Sequence, residues 1–188
     1  MGPLANVFLF GGSFNPPHIA HVLAVTYVLA TEEADLVAVV PCYQHPFAKE
    51  LAPFEHRFVM CERAMGWLPR TKVLRVEEEL GGESRTLRTV EHLRKVHPDW
   101  RMRLVLGADV LLEGPRWQGF DRVAELAPPV ILGRAGVVTQ DAPRAILPEV
   151  SSTAVRDAVR AGRAGEVAAL LPRAVLAYIE AQGLYRGP

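Results

Sequence analysis

The chain has 188 residues, 49% of them apolar and 22% charged, enough for one sizeable core and too few for two ordinary domains. Its 21 basic and 21 acidic side chains cancel, so bulk attraction to nucleic acid or to an anionic membrane is excluded as a driving force and only a local basic pocket remains. Two cysteines, Cys42 and Cys61, cannot build a disulfide framework, and neither a signal-peptide pattern nor an apolar run near the ~20 residues of a membrane span is visible, so a reduced, soluble, cytoplasmic chain is expected.

The first apolar run, Asn6–Phe10, reads as a buried strand that stops at Gly11 and Gly12. A turn carrying Pro16 and Pro17 follows, and then a helical pattern over Ala20–Ala30. Strands are expected again at Asp35–Val40, Lys72–Val76, Met102–Gly107 and Pro129–Gly133, with helices at Phe54–Met65, Thr86–Val96 and Phe120–Leu126. Continuous apolarity in the strands fits a sheet covered on both faces. The alternation predicts an α/β fold, a doubly wound, mostly parallel sheet of Rossmann-like type in a single domain spanning residues 1–188.

"VEEEL" (Val76–Leu80) reads as a solvated acidic turn, Gly136–Pro148 as a surface loop, and Trp67 and Trp100 as packing residues. The tail is helical. "SSTAVRDAVRAG" opens on capping hydroxyls and closes on Gly162, and Pro172–Gly183 starts on a proline suited to the first helical position.

Ligands of open α/β sheets bind beyond the carboxyl ends of the strands, which is where "GGSFNPPHIAH" falls. Gly11 and Gly12 allow close backbone approach and backbone conformations that side chains forbid. His18 and His21, three apart at a helix start, share a face and would form an anion site with the helix N-terminus. A tight structural turn with packed histidines is the plainer alternative. No GxxxxGK[ST] or GxGxxG is present. In "VSSTAVR", Ser151, Ser152 and Thr153 present hydroxyls and free amides at another helix N-terminus, with Arg156 about one turn on. That suits a polyphosphate, and equally an ordinary helix cap.

Taken together, these stretches resemble the nucleotidylyltransferase superfamily, "GGSFNPPHIAH" its (H/T)xGH signature and "VSSTAVR" its late ISSTxxR motif. "GADVLLEGPRW" (Gly107–Trp117), "ESRTLRTVEHLR" (Glu83–Arg94) and the ending "LLPRAVLAYIEAQGLYR" are similar to segments of bacterial nicotinate-nucleotide adenylyltransferases. Two positions depart from the pattern. Ala20 stands for the signature glycine, and "QHPFAKE" replaces a PPHK-like segment, with Lys49 its nearest match.

The resemblance implies adenylyl transfer from ATP to nicotinate mononucleotide, giving deamido-NAD and pyrophosphate, with Mg²⁺ carried mainly by the ATP phosphates. It assigns His18 and His21 to catalysis. Gly11, Gly12, Ser13, Ser152, Thr153 and Arg156 would bind ATP, and Thr86, Asp109, Trp117, Arg134 and Lys49 the acceptor nucleotide. Related transferases acting on nicotinamide mononucleotide or phosphopantetheine share the same motifs and stay open, as does a nucleotide-binding module without catalysis. No metal held by the protein itself, nucleic acid or membrane partner is implied, and oligomeric state is left open.

Overall fold

The computed structural model describes residues 4–45, 51–109, 119–136 and 143–186. Strands β1 (Ala5–Gly12), β2 (Leu36–Pro41), β3 (Thr71–Val73), β4 (Trp100–Gly107), β5 (Pro129–Arg134) and β6 (Ala145–Leu147) form one sheet in the order 3-2-1-4-5-6. Every neighbouring pair is parallel. The α/β expectation therefore holds in its doubly wound form.

Strand periodicity divides the core in two. Along β1, Phe8 and Phe10 face one side while Val7 and Leu9 face the other, and all four are buried because helices cover both faces. The Phe8 side packs against α1 (Ile19–Thr31), α2 (Phe54–Met65), α6 (Ser152–Arg160), a 3₁₀ helix at Ala164–Leu170, and α7 (Arg173–Gln182). The Val7 side packs against α3 (Val76–Leu80), α4 (Thr86–Val96) and α5 (Phe120–Leu126). None of the helices among the described residues is long and apolar enough to cross a membrane.

Several expectations need correction. Gly136–Pro148 contains β6, a short edge strand paired through Gly133 and Arg134, which three residues of mixed exposure do not announce. The third strand ends at Val73 rather than Val76. "VEEEL" is the helix α3, and its Glu77 is drawn inward to accept hydrogen bonds from the Tyr43 backbone N–H at 3.2 Å and the Thr89 hydroxyl at 3.1 Å. Trp67 is 70% exposed and does not pack in the core, whereas Trp100 is half-buried and stacks on His97. Pro172 is the N-cap of α7 and not its first residue.

The order of strands reverses between β1 and β4, which leaves a crevice at their carboxyl ends. The turn that carries His18 and His21 leaves β1 at that edge.

Candidate active site

β1 runs through both glycines, pairing Gly11 with Val40 and Gly12 with Pro41. Neither glycine has a left-handed backbone, contrary to the expectation, and of the two it is Gly12 that is needed for space. A Cβ on Gly12 would sit 3.0–3.3 Å from the ring of Phe14, while a Cβ on exposed Gly11 would touch little. The left-handed residue is Phe14 itself, at φ 45°, a conformation costing a non-glycine residue roughly 1–2 kcal/mol. Its buried ring compensates by packing edge-on to Phe10 at 5.5 Å and His21 at 4.9 Å. The Asn15–Pro16 peptide bond is cis, and the turn delivers His18 as the extended N-cap of α1.

The two histidines are brought together as the spacing implies. Their rings stack with centroids 3.8 Å apart, and the His18 backbone N–H donates to His21 Nδ1 at 3.0 Å. Because that nitrogen accepts, neutral His21 carries its proton on Nε2. His18 is 4% exposed, and its Nδ1 is buried with no hydrogen-bond partner among the described residues. A buried ring nitrogen left unpaired is costly, and this one lies at a helix N-terminus, where free N–H groups favour an anion. Burial, followed by the charge of Arg134, lowers the pKa of His18 to about 4. Burial, then His18 and Arg134, hold His21 well below the ordinary histidine range. Both rings are neutral at pH 7 while the site holds no anion. Ala20, where the signature has glycine, is buried between them in sequence.

The late motif packs directly onto this turn. Ser151 caps α6, its hydroxyl accepting from the Ala154 N–H at 3.1 Å. The Ser152 hydroxyl donates to the Pro16 carbonyl at 2.8 Å, and Arg156 donates to the Asn15 carbonyl at 2.8 Å and to Thr153 Oγ1 at 3.2 Å. Two stretches some 140 residues apart in sequence thus share one set of hydrogen bonds. From the other side, the Tyr185 hydroxyl donates to Asn15 Oδ1 at 2.8 Å, which also accepts from the Ala52 N–H at 3.1 Å. Burial raises the Tyr185 pKa, so it remains a donor.

The residues assigned to the acceptor are placed less uniformly. Thr86 opens α4, half-buried, on the opposite face of the sheet from α1. Asp109 is exposed just beyond β4, its Oδ1 3.9 Å from Arg134 Nη1. Its carboxylate folds back over Gly107, where any side chain would collide with it. Arg134 joins the histidine pair, whose protonation it opposes, and donates to the Val150 carbonyl, steadying the approach to α6. It thus lies between Asp109 and the histidine pair. Lys49 and Trp117 lie outside the described residues. Among the described residues, no group of three or more His, Cys, Asp or Glu side chains could hold a metal ion.

Sequence reasoning missed Asn15, Tyr185 and Arg57. For Arg57 a signal existed. It occupies the buried stripe of α2 defined by Phe54, Met60, Cys61 and Ala64, where a charged side chain is anomalous.

With this geometry in view, the comparisons with known proteins are specific. Residues 9–158 match the cytidylyltransferase-like family. A Myxococcus xanthus protein named "Probable nicotinate-nucleotide adenylyltransferase" is 42% identical over 189 residues, covering 98% of this chain and 97% of its own. One of the same name from Anaeromyxobacter dehalogenans is 46% identical over 185 residues, covering 96% and 97%. The chain belongs to the nicotinate-nucleotide adenylyltransferase family. It is thus a nucleotidyltransferase by descent.

Solved structures agree on the fold. Plasmodium falciparum nicotinic acid mononucleotide adenylyltransferase complexed with APC superposes with a TM-score of 0.80, covering 96% of this chain and 97% of that one. The same enzyme complexed with NaAD gives 0.76, over the same shares. Sequence identities of 17% and 16% make this a likeness of fold.

Proposed function

We propose that this chain transfers the adenylyl group of ATP to the phosphate of nicotinate mononucleotide, releasing pyrophosphate and contributing to NAD biosynthesis. An acceptor phosphate oxygen attacks the α-phosphorus, the new P–O bond forms as the α–β bond breaks, and the electron pair leaves with pyrophosphate. No covalent enzyme intermediate is required, so the protein contributes positioning and charge stabilisation. The observation that supports this most strongly is the stacked His18–His21 pair at the α1 N-terminus, with a buried Nδ1 lacking a partner and Arg134 alongside.

In this reading, a triphosphate over α1 opposes the effect of Arg134 and favours protonation of the histidines. They become the donors that stabilise charge developing on the leaving pyrophosphate. Arg156 and Thr153, at the opening of α6, bind the outer phosphates, and the Ser152 hydroxyl keeps that helix end against the turn. Gly11, Gly12 and Ser13 supply close backbone approach. The imidazoles of His18 and His21 and the guanidinium of Arg156 face phosphate oxygens, and Mg²⁺ bound to ATP would supply further neutralisation of phosphate charge. The acceptor lies toward Thr86 and Asp109, with Lys49 and Trp117 as further candidates for its phosphate and ring.

Pyrophosphate release from MgATP with nicotinate mononucleotide, its amide and phosphopantetheine tests this. Turnover is expected with the acid nucleotide, with kcat/KM about 5–150-fold above the amide, because donors that meet a carboxylate are left mismatched by a carboxamide at about 1–3 kcal/mol. Preference for the amide or for phosphopantetheine overturns the acceptor assignment. Absence of pyrophosphate with all three overturns the reaction.

A further inference from the structure

Among the described residues Arg57 has the deepest burial of any charged side chain, 1% exposed, and no carboxylate lies within hydrogen-bonding distance of it. Instead it spends its N–H groups on four backbone carbonyls. Nε donates to Ala52 at 2.8 Å, Nη1 to Ser13 at 3.1 Å and Cys42 at 2.6 Å, and Nη2 to Tyr43 at 3.1 Å. Those carbonyls belong to three separate pieces of chain: the turn after β1, the loop after β2, and the segment entering α2. A guanidinium placed in a core only to pack would be costly, and desolvation indeed lowers its pKa. Its planar fork carries five N–H donors in fixed directions, more than any other side chain, and so can hold several carbonyls at once.

The two loops differ in how else they are held. The β1 turn keeps Ser152 on Pro16, and Arg156 and Tyr185 on Asn15, whatever happens at Arg57. The β2 loop has its Tyr43 N–H held by Glu77 and by Ser84 at 2.8 Å, and the Gln44 carbonyl by the Ser84 N–H at 2.9 Å. Its start is tied to β1 by the Cys42 N–H, which donates to the Gly12 carbonyl at 2.9 Å, and its Cys42 and Tyr43 carbonyls are received by Arg57. Ser84 in turn leads into Thr86 and α4, on the acceptor side of the sheet.

We infer that Arg57 is a positioning residue that sets the spacing between the two nucleotide sites, by fastening the acceptor-side loop Cys42–Tyr43 to the ATP-side turn at Ser13. The inference rests on the proposed adenylyl transfer. Its signature is asymmetric: weakening Arg57 disturbs the acceptor more than ATP, since Arg57 receives two carbonyls of the acceptor-side loop and only one of the ATP-side turn, which Ser152, Arg156 and Tyr185 also hold.

Arg57→Lys and Arg57→Met test it, with KM for both substrates, kcat and thermal midpoint measured together. Lysine keeps the charge and one or two carbonyl bonds but loses the fork. The expected result is a lysine variant whose acceptor KM rises about 5–30-fold while its ATP KM changes less than about 3-fold. The methionine variant, where it folds, should show the same asymmetry more strongly. A role in packing alone predicts a lower midpoint or a smaller active fraction with both KM values unchanged, and that result overturns the inference, as does an equal rise in both. Should Arg57→Lys not fold, Glu77→Gln, which loosens the other side of the Tyr43 peptide, is read in its place by the same criterion. Failure of the wild-type chain to release pyrophosphate counts against the proposed reaction, and a wild-type-like variant counts against Arg57 alone.

Discussion

Replacing His18 with asparagine should flatten the pH dependence of folding in a defined window. Asparagine can cap α1 but does not titrate, so it removes the ionisation with the least disturbance to the helix start. In the folded chain the His18 pKa is about 4, lowered by burial and then by Arg134, against an ordinary value of 6.5. The unfolded chain therefore binds a proton first as the pH falls, and protonation favours unfolding. The stability tied to the neutral ring is fully present above about pH 6.5 and is lost progressively down to about pH 4. Linkage over that interval gives a loss on the order of 1 kcal/mol between about pH 7.5 and 5.5, and on the order of 2–3 kcal/mol by about pH 4.5. His21, stacked on His18 and shifted in the same direction, steepens the wild-type curve further. Denaturant unfolding of both chains at four pH values across this range measures the difference, with the carboxylates common to both cancelling. Parallel pH dependences in the two chains would show that His18 is not held neutral and would remove the electrostatic basis for its role.

Three further outcomes follow from the same geometry. His21→Ala should lower kcat by ~10²–10³-fold with the fold intact by circular dichroism, as for loss of one transition-state donor; near-normal turnover refutes its catalytic assignment. Arg156→Ala should raise the ATP KM at least about 10-fold and the acceptor KM much less, and equal rises would mark a general lesion of the Asn15 turn, which Arg156 also holds. Gly12→Ala drives a methyl to 3.0–3.3 Å from the buried Phe14 ring and should destabilise by about 1–3 kcal/mol, read as a lower thermal midpoint; an unchanged midpoint would mean the ring yields freely.

The sequence by itself determined the strand–helix alternation and the position of the chemistry along it, because both are local. The bounds of α2, α4 and α5 match their apolar periodicity, and the three-residue spacing of His18 and His21, as N-cap and third helical residue of α1, is enough to bring their rings together. Tertiary structure alone decided what each polar group meets. Nothing local says that Ser152 and Arg156 grip Pro16 and Asn15, that Arg134 sits beside the histidines, or that Tyr185 reaches the β1 turn. The β6 strand is three residues whose identity depends on pairing with β5, and Glu77 looks like one of a run of surface acids until Tyr43 and Thr89 turn it inward. Periodicity records which side of an element faces the core, since burial repeats with the element's own geometry. Hydrogen bonds between distant segments leave no such repeat, and Arg57 betrays itself only as a charge on a buried stripe.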